Sequence, residues 1–174
     1  MLIARTKIDE IAALKSKLND TFDMKVLGDA NHILGMCIVR DRGKKVLRLS
    51  QSGYIDKVLK RFNMEGGKAL SPPLPSYVKL SLSDCPKSDE EKAKMAKVPY
   101  SSVVGSLMYS IICTRPDIAY AMEVVSEYMF NPGKKHWEAV KGIMCYLNGT
   151  RNECICLLVK GFYHAYLFNV MEGE

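Results

Sequence analysis

The chain reads as an α+β protein, with a small sheet and helices in its first third and a three-helix bundle in its second half. Three observations lead there. Two short runs rich in Ile, Val and Leu, His32–Arg40 and Val46–Leu49, flank Asp41-Arg42-Gly43-Lys44-Lys45, which is a hairpin signal. From Pro99 onward, apolar residues recur every three or four positions in three successive stretches. Between these parts lies the segment 65–85, with Gly66, Gly67, Pro72, Pro73 and Pro75, a composition that interrupts regular structure.

Residues 2–5 have room for one strand. Thr6-Lys7-Ile8-Asp9 resembles a capping box with Asp in place of Glu. Ile8, Ile11, Leu14, Leu18 and Phe22 then predict an amphipathic helix over about 7–20. Phe22–Leu27 alternates loosely and reads as a strand, stopped by Gly28-Asp29. In the hairpin turn, Gly43 is the residue expected to supply a positive φ. Ser50 is placed to cap a helix from Gln51 to about Phe62, with Tyr54, Val58 and Phe62 on one face and Ile55 and Leu59 beside it. Residues 65–85 read as an extended linker. Lys87–Lys97 reads as a short charged helix or surface segment, with Asp89-Glu90-Glu91 in its first turn favouring the positive helix end.

Pro99 suits a first helical turn, followed by the stripe Val103, Leu107, Ile111. Thr114-Arg115-Pro116-Asp117 combines an N-cap, an early Pro and an acid before Ile118, Met122, Val125 and Met129. Asn131-Pro132-Gly133 stops that helix. Trp137, Val140, Met144 and Leu147 form a third stripe, closed by Asn148-Gly149. Glu153–Val159 looks like the start of a strand, and the remainder shows no clear plan.

The composition, 48% hydrophobic and 25% charged, excludes collagen, coiled coil and disorder as whole-chain readings. The longest apolar stretches fall short of the ~18–20 residues of a membrane span, and the first residues lack the apolar core of a secretory signal. A cytoplasmic or nuclear protein is expected. Six cysteines lie scattered, with no C-x-x-C and no zinc spacing. Cys154 and Cys156 would share one face of a strand, where they read as small hydrophobes. The sequon Asn148-Gly149-Thr150 reads as a helix stop. Residues 1–64 hold 13 Lys/Arg against 7 Asp/Glu, so the net charge of +6 sits in the first third. A polyanion partner fits this basic region, and so does a plain solvated surface.

No local catalytic signature is present. His32, His136 and His164 stand outside any nucleophile–base pattern, and His136, beside Trp137 at a helix start, reads as a surface or capping residue. There is no P-loop, G-x-G-x-x-G or H-E-x-x-H, and the acids are dispersed singly. Catalytic and metal-binding residues are therefore read as none.

Three blocks resemble the reverse transcriptase of copia-type LTR retrotransposons. They are LGMCIVRDRGKKVLRLSQSGYIDKVLKRFNM (34–64), VPYSSVVGSLMYSIICTRPDIAYAMEVVSEYMFNPGKKHW (98–137) and EAVKGIMCYLNGT (138–150). The resemblance is colinear over about residues 1–150. It implies a partial palm subdomain at 1–64, a Pro-rich linker and charged segment at 65–98, and a helical thumb-like unit at 99–150. Residues 151–174 would be a degenerate tail, with 161–174 out of frame or spliced on. It implies a fold of partial palm sheet with helices followed by a small three-helix thumb-like bundle.

The same resemblance implies that the hairpin around Ile33–Leu49 lies near a primer terminus and the thumb helices along the minor groove of a template–primer duplex. In the family a Tyr-Val-Asp-Asp motif, which binds magnesium, directly precedes a sequence like Met1-Leu2-Ile3-Ala4. Both Asp are therefore expected outside this chain, which would need no cofactor of its own and be catalytically inactive. Position 142, Gly where the family carries a large aromatic, is expected to loosen the third helix of that unit.

The expected partners are template–primer nucleic acid and retrotransposon proteins, with no membrane. Arg40, Arg42, Lys44, Lys45 and Arg48 are the candidate nucleic-acid contacts: a turn tip reaches a phosphate backbone without burying charge, and Arg48 alternates with Leu47 and Leu49. Their other reading is that they keep the hairpin soluble. As an alternative function, the chain is a nucleic-acid-binding or element-regulating interaction module without enzymatic activity.

Overall fold

The computed structural model describes residues 7–25, 28–160 and 162–168, with side chains described as far as residue 157. The architecture is α+β, as expected. Helix α1 (Ile8–Thr21) forms where its apolar spacing predicts, yet none of its residues is buried. The expected strand at 22–27 does not form over Phe22–Lys25, and Val26-Leu27 lies outside the described residues, as does Leu2–Arg5. All four of Phe22–Lys25 are exposed, with no ladder for the alternation to join.

The sheet runs β1 (His32–Ile33), β2 (Met36–Asp41), β3 (Val46–Ser50), β4 (Cys154–Lys160) and β5 (Phe162–Phe168), in that order and antiparallel throughout. The β2–β3 hairpin is the one the sequence predicts, but its turn closes differently. Asp41 Oδ1 accepts the Lys44 backbone N–H at 2.9 Å, and the left-handed residue is Lys45 (φ 53°), not Gly43. The carboxylate stands in for a backbone acceptor at the start of the turn, which leaves the positive φ to the residue entering β3. β4 adds to β3 with Leu49 opposite Ile155 and Val46 opposite Leu158, and β5 continues the ladder. The sequence foresees only the start of β4, because a strand over 100 residues from its partner has no local signal for the pairing.

Helix α2 (Ser52–Arg61) matches its expected span. Ser50 Oγ accepts the Ser52 N–H at 3.2 Å, so the serine caps from one position earlier than the N-cap itself. Helix α3 (Asp89–Met95) is opened by Ser88, whose hydroxyl accepts from Glu91 N–H while the Glu91 carboxylate takes the Lys87 and Ser88 N–H groups. Helices α4 (Tyr100–Cys113), α5 (Ala119–Ser126) and α6 (Lys134–Gly149) follow. Ile55, Val58 and Leu59 of α2 pack in one core with Val103, Leu107, Met122, Val125, Val140, Ile143, Met144 and Leu147. The expected core position Met129 is exposed, because α5 ends at Ser126, before that stripe is complete.

Segment 65–85 is a docked strap. Leu74 and Leu80 pack against the core, and Asn148 Nδ2 donates to the carbonyls of Glu65 (3.2 Å) and Gly67 (2.8 Å). Glycine is required at both ends of α6 by close approach. A Cβ at Gly149 would lie 2.7 Å from Ala69 Cβ, and one at Gly133 would lie 1.9 Å from the Asp84 carbonyl oxygen. Gly142 lies between them, where a Cβ would meet the Pro73 carbonyl at 3.9 Å. Here α6 runs unbroken past the glycine with the strap alongside.

Candidate nucleic-acid interface

All five cations singled out in the sequence are exposed on the β2–β3 hairpin. The structure brings three of them together. Arg42, Lys44 and Lys45 share the four-residue turn, pinned by the Asp41 carboxylate. Arg40 and Arg48 are separated. Residues opposite one another in a ladder share a face and chain neighbours alternate. Arg48 stands opposite Val39, so Arg40, opposite Leu47, is on the other face of the sheet. Arg48 shares its face with Cys156, its partner on β4. Cys154 and Cys156 are both buried, with sulfurs 3.7 Å apart, and burial pushes the Cys154 thiol up to about 11, so it stays protonated and inert at neutral pH.

The hairpin is held to the helices by tyrosines. The β1–β2 turn is Leu34-Gly35, with φ of 48° and 76°. The Tyr109 hydroxyl of α4 donates to the Leu34 carbonyl, and its ring meets Tyr54 of α2 edge-on at 5.0 Å. Tyr54 in turn donates to the Ser106 carbonyl at 3.0 Å. Beyond this joint, the outer side of α4 exposes Ser101, Gly105, Met108 and Ile112, a row without charge at i, i+4, i+7 and i+11. A Cβ at Gly105 would meet nothing within 4 Å.

A second cationic site was missed in the sequence. Arg115 is fully buried between α4 and α6. Its Nε and Nη2 hold the two Asp117 oxygens at 3.0 and 2.7 Å. Nη1 and Nη2 hold the Thr150 carbonyl and hydroxyl at 2.9 and 2.6 Å, and Glu153 lies 3.5 Å away. Tyr146 donates to Asp117 at 2.9 Å. Burial would raise the Asp117 carboxyl, but the Arg115 bonds and charge and the Tyr146 hydroxyl outweigh it, and its pKa falls below the ordinary value. Burial dominates at Glu153, which is raised, and at Tyr146, pushed up to about 12. A local signal existed: Arg115 and Asp117 are the only charged residues between Val98 and Met122, and a lone i, i+2 ion pair in so apolar a stretch is a buried pair.

These carboxylates do not fit a magnesium site. The Arg115 guanidinium already occupies the space between Asp117 and Glu153. Asp84 is taken by Lys135 at 2.6 Å and Asp56 by Arg151 at 3.4 Å. Among the described residues no three His, Cys, Asp or Glu side chains converge.

A family model described as reverse transcriptase (RNA-dependent DNA polymerase) matches residues 1–75, which covers the hairpin and α2. Over 170 residues the chain is 54% identical to the retrovirus-related Pol polyprotein from transposon TNT 1-94 of Nicotiana tabacum. The chain is similar to the Pol polyproteins of copia-type retrotransposons. That match covers 95% of the chain and 13% of the polyprotein. The Pol polyproteins from transposons RE2 and RE1 of Arabidopsis thaliana are 36% and 37% identical over 140 residues, 80% of the chain and 9% of each. The chain thus spans a small part of the length of these copia-type relatives. No solved structure matches it. Among the described residues no helix is long and apolar enough to cross a membrane.

Proposed function

We infer that the chain is a duplex-holding part of a copia-type reverse transcriptase, binding the phosphate backbone of nucleic acid without reading its sequence. In this reading 1–64 is a partial palm, 65–98 a linker that docks along the helices, 99–150 a thumb-like unit and 151–174 a tail whose first strand joins the palm hairpin. The observation that carries it is the hairpin tip, where Arg42, Lys44 and Lys45 are exposed on a turn pinned by the Asp41 carboxylate, at the end of β2 away from the β1–β2 turn that Tyr109 holds to α4. Exposed cations on a fixed support grip phosphates with little loss of side-chain burial, and each contact releases counterions. The uncharged row on α4 supports it further, since a face of small and apolar side chains follows a groove without repelling or selecting bases.

Residues 1–174 by themselves do not extend a primer in this reading, because the family's Asp pair lies outside them, while Asp117 and Glu153, Asp84 and Asp56 are engaged by Arg115, Lys135 and Arg151. Fluorescence anisotropy on an RNA–DNA hybrid across a salt series tests the binding. Affinity is expected to fall with salt, with a slope of roughly −0.9 per phosphate contact on duplex DNA and a similar order on a hybrid. Changing Arg42, Lys44 and Lys45 to Ala flattens that slope and weakens all sequences alike. A triple variant that binds as its parent does would remove the tip from the interface. Template-dependent incorporation by the purified chain with magnesium or manganese would overturn the inactivity.

A second reading, a module that joins the proteins of intact elements, is favoured by α1. Its Ile8 and Leu14, and Phe22 just beyond it, are 76%, 41% and 60% exposed, an apolar stripe along the helix. Co-precipitation of a copia-type Pol polyprotein that is lost on Leu14→Glu would support it, and no co-precipitation at all would dismiss it.

A further inference from the structure

The start of α6 is built around a histidine that plays the part of a capping side chain. His136 is the third residue of the helix and is fully buried. Its Nδ1 accepts the Gly133 backbone N–H at 2.8 Å. In a capping box that role belongs to a Glu or Gln at the same position, reaching back to the N-cap N–H. The ring lies flat on Tyr128, with centroids 3.9 Å apart and planes 9° apart. Because Nδ1 accepts, the neutral ring carries its proton on Nε2, and Nε2 is buried with no partner at hydrogen-bond geometry. The strap closes over this point. Its turn Leu82–Asp84 places the Asp84 carbonyl against Gly133, and the Asp84 carboxylate takes Lys135 at 2.6 Å and the Ser81 N–H at 3.0 Å.

The geometry points to a proton-operated latch: protonation of His136 releases the strap turn 81–85 from the N-terminus of α6. The ring gains a hydrogen on Nδ1, which then faces the Gly133 N–H donor to donor. The capping bond is lost, and a charge is left in a buried site at the positive end of a helix. Gly133 and the Asp84 carbonyl are in contact, so the turn moves with the cap. The surrounding groups agree in sign. Burial lowers the His136 pKa and Lys135 lowers it further, while the Ser81 backbone and the Asp84 carboxylate act against them and are outweighed. Tyr128, on the flat side of the ring, is itself raised, first by burial and then by Glu127, Cys85 and Asp84, so it stays neutral here. A folded pKa below the unfolded one means that the latch is fully closed above about pH 6.5 and opens as pH falls through the folded value.

Hydrogen exchange of 81–85 and 133–137, corrected for intrinsic rates, is followed from pH 7 to 5, with fluorescence of Trp137, the single tryptophan, as a second reporter. Protection in the parent is expected to fall about tenfold for each unit by which the folded pKa is depressed. His136→Gln keeps an acceptor for Gly133 and cannot titrate, so its protection stays flat over this range. Lys135→Ala, at an exposed side chain, removes a charge that opposes protonation and moves the midpoint to higher pH. A parent without a transition, a transition unchanged in His136→Gln, or a midpoint that fails to rise in Lys135→Ala would each overturn the latch.

Discussion

Arg115 and Arg42 are the same residue type in opposite circumstances. Arg115 is wholly buried, and every arm of its guanidinium is committed: two bonds to Asp117, two to Thr150, with Glu153 behind. Arg42 stands exposed in a turn of three cations. The first joins the end of α4 to the end of α6 and to Glu153, one residue before β4, so it fixes where the chain re-enters the sheet. The second fixes nothing inside the molecule. A buried charge is spent on structure, because desolvation forces it to find partners, whereas an exposed one stays hydrated and free for an external anion. The net charge of the first third therefore belongs to its surface, and the helical unit holds its key cation inside.

The largest expected effect separates these two arginines. Arg115→Met strands Asp117 and Glu153 without their counter-charge and should cost about 3–5 kcal/mol. Arg42→Ala should stay within about 0.5 kcal/mol, as exposed substitutions do. Urea midpoints measure both, and equal losses would mean that the buried cluster contributes no more than a surface charge.

Acid sharpens the contrast. The lowered pKa of Asp117 means stability present above its unfolded value and lost as pH falls through the folded one. Glu153 is raised, so it opposes this, adding stability as pH falls through its folded pKa. Asp117 makes the shorter contacts and should dominate. Asp117→Asn should flatten the acid limb of a plot of urea midpoint against pH below about 4, while the Arg42, Lys44, Lys45 triple variant leaves the limb in place. An unchanged limb in Asp117→Asn would assign acid lability to another group.

Next in size is a change at the joint between the two regions. Leu34 holds a left-handed φ of 48°, a conformation that costs a residue of this kind about 1 kcal/mol. Leu34→Asn would create Asn-Gly, the preferred pair for a two-residue turn. Its side chain is 73% exposed, so little packing is lost, and stability should rise by about 1 kcal/mol. A loss of stability would show that the Leu34 side chain packs more than its exposure suggests. The smallest stability effect is expected from the triple alanine variant itself, whose urea midpoint should barely move although its salt-dependent binding collapses. If stability and binding fell together, the tip cations would be structural and the difference from Arg115 would vanish.

Much of this was legible along the chain. The stripes Val103-Leu107, Met122-Val125 and Val140-Met144-Leu147 are core residues, and Asp89-Glu90-Glu91 fall in the first turn of α3, because a 3.6-residue period and an acidic helix start are local patterns. The exposure of the five hairpin cations and the turn that holds Arg42, Lys44 and Lys45 are legible too, but the face that carries Arg48 is not. Which face of the sheet carries Arg48 depends on ladder register with Val39 and Cys156, and register is a property of pairing. His136 is placed by the sequence at a helix start as a surface or capping residue. It caps, but from a buried position, because Tyr128 and the strap close over it.

The sequence by itself determined the helices, the hairpin, the location of the positive charge and the kinship with copia-type Pol proteins. Each of these is written in neighbouring residues, as periodicity, turn chemistry or a run of matching positions. Tertiary structure alone decided that Arg115 is interior, that residues 65–85 are a docked strap, that α2 shares a core with α4, α5 and α6, and that β4 completes a hairpin more than 100 residues earlier. Those outcomes depend on which surfaces meet. A charge becomes a structural element only when other chain segments exclude water from it, and no local pattern specifies which segments those will be.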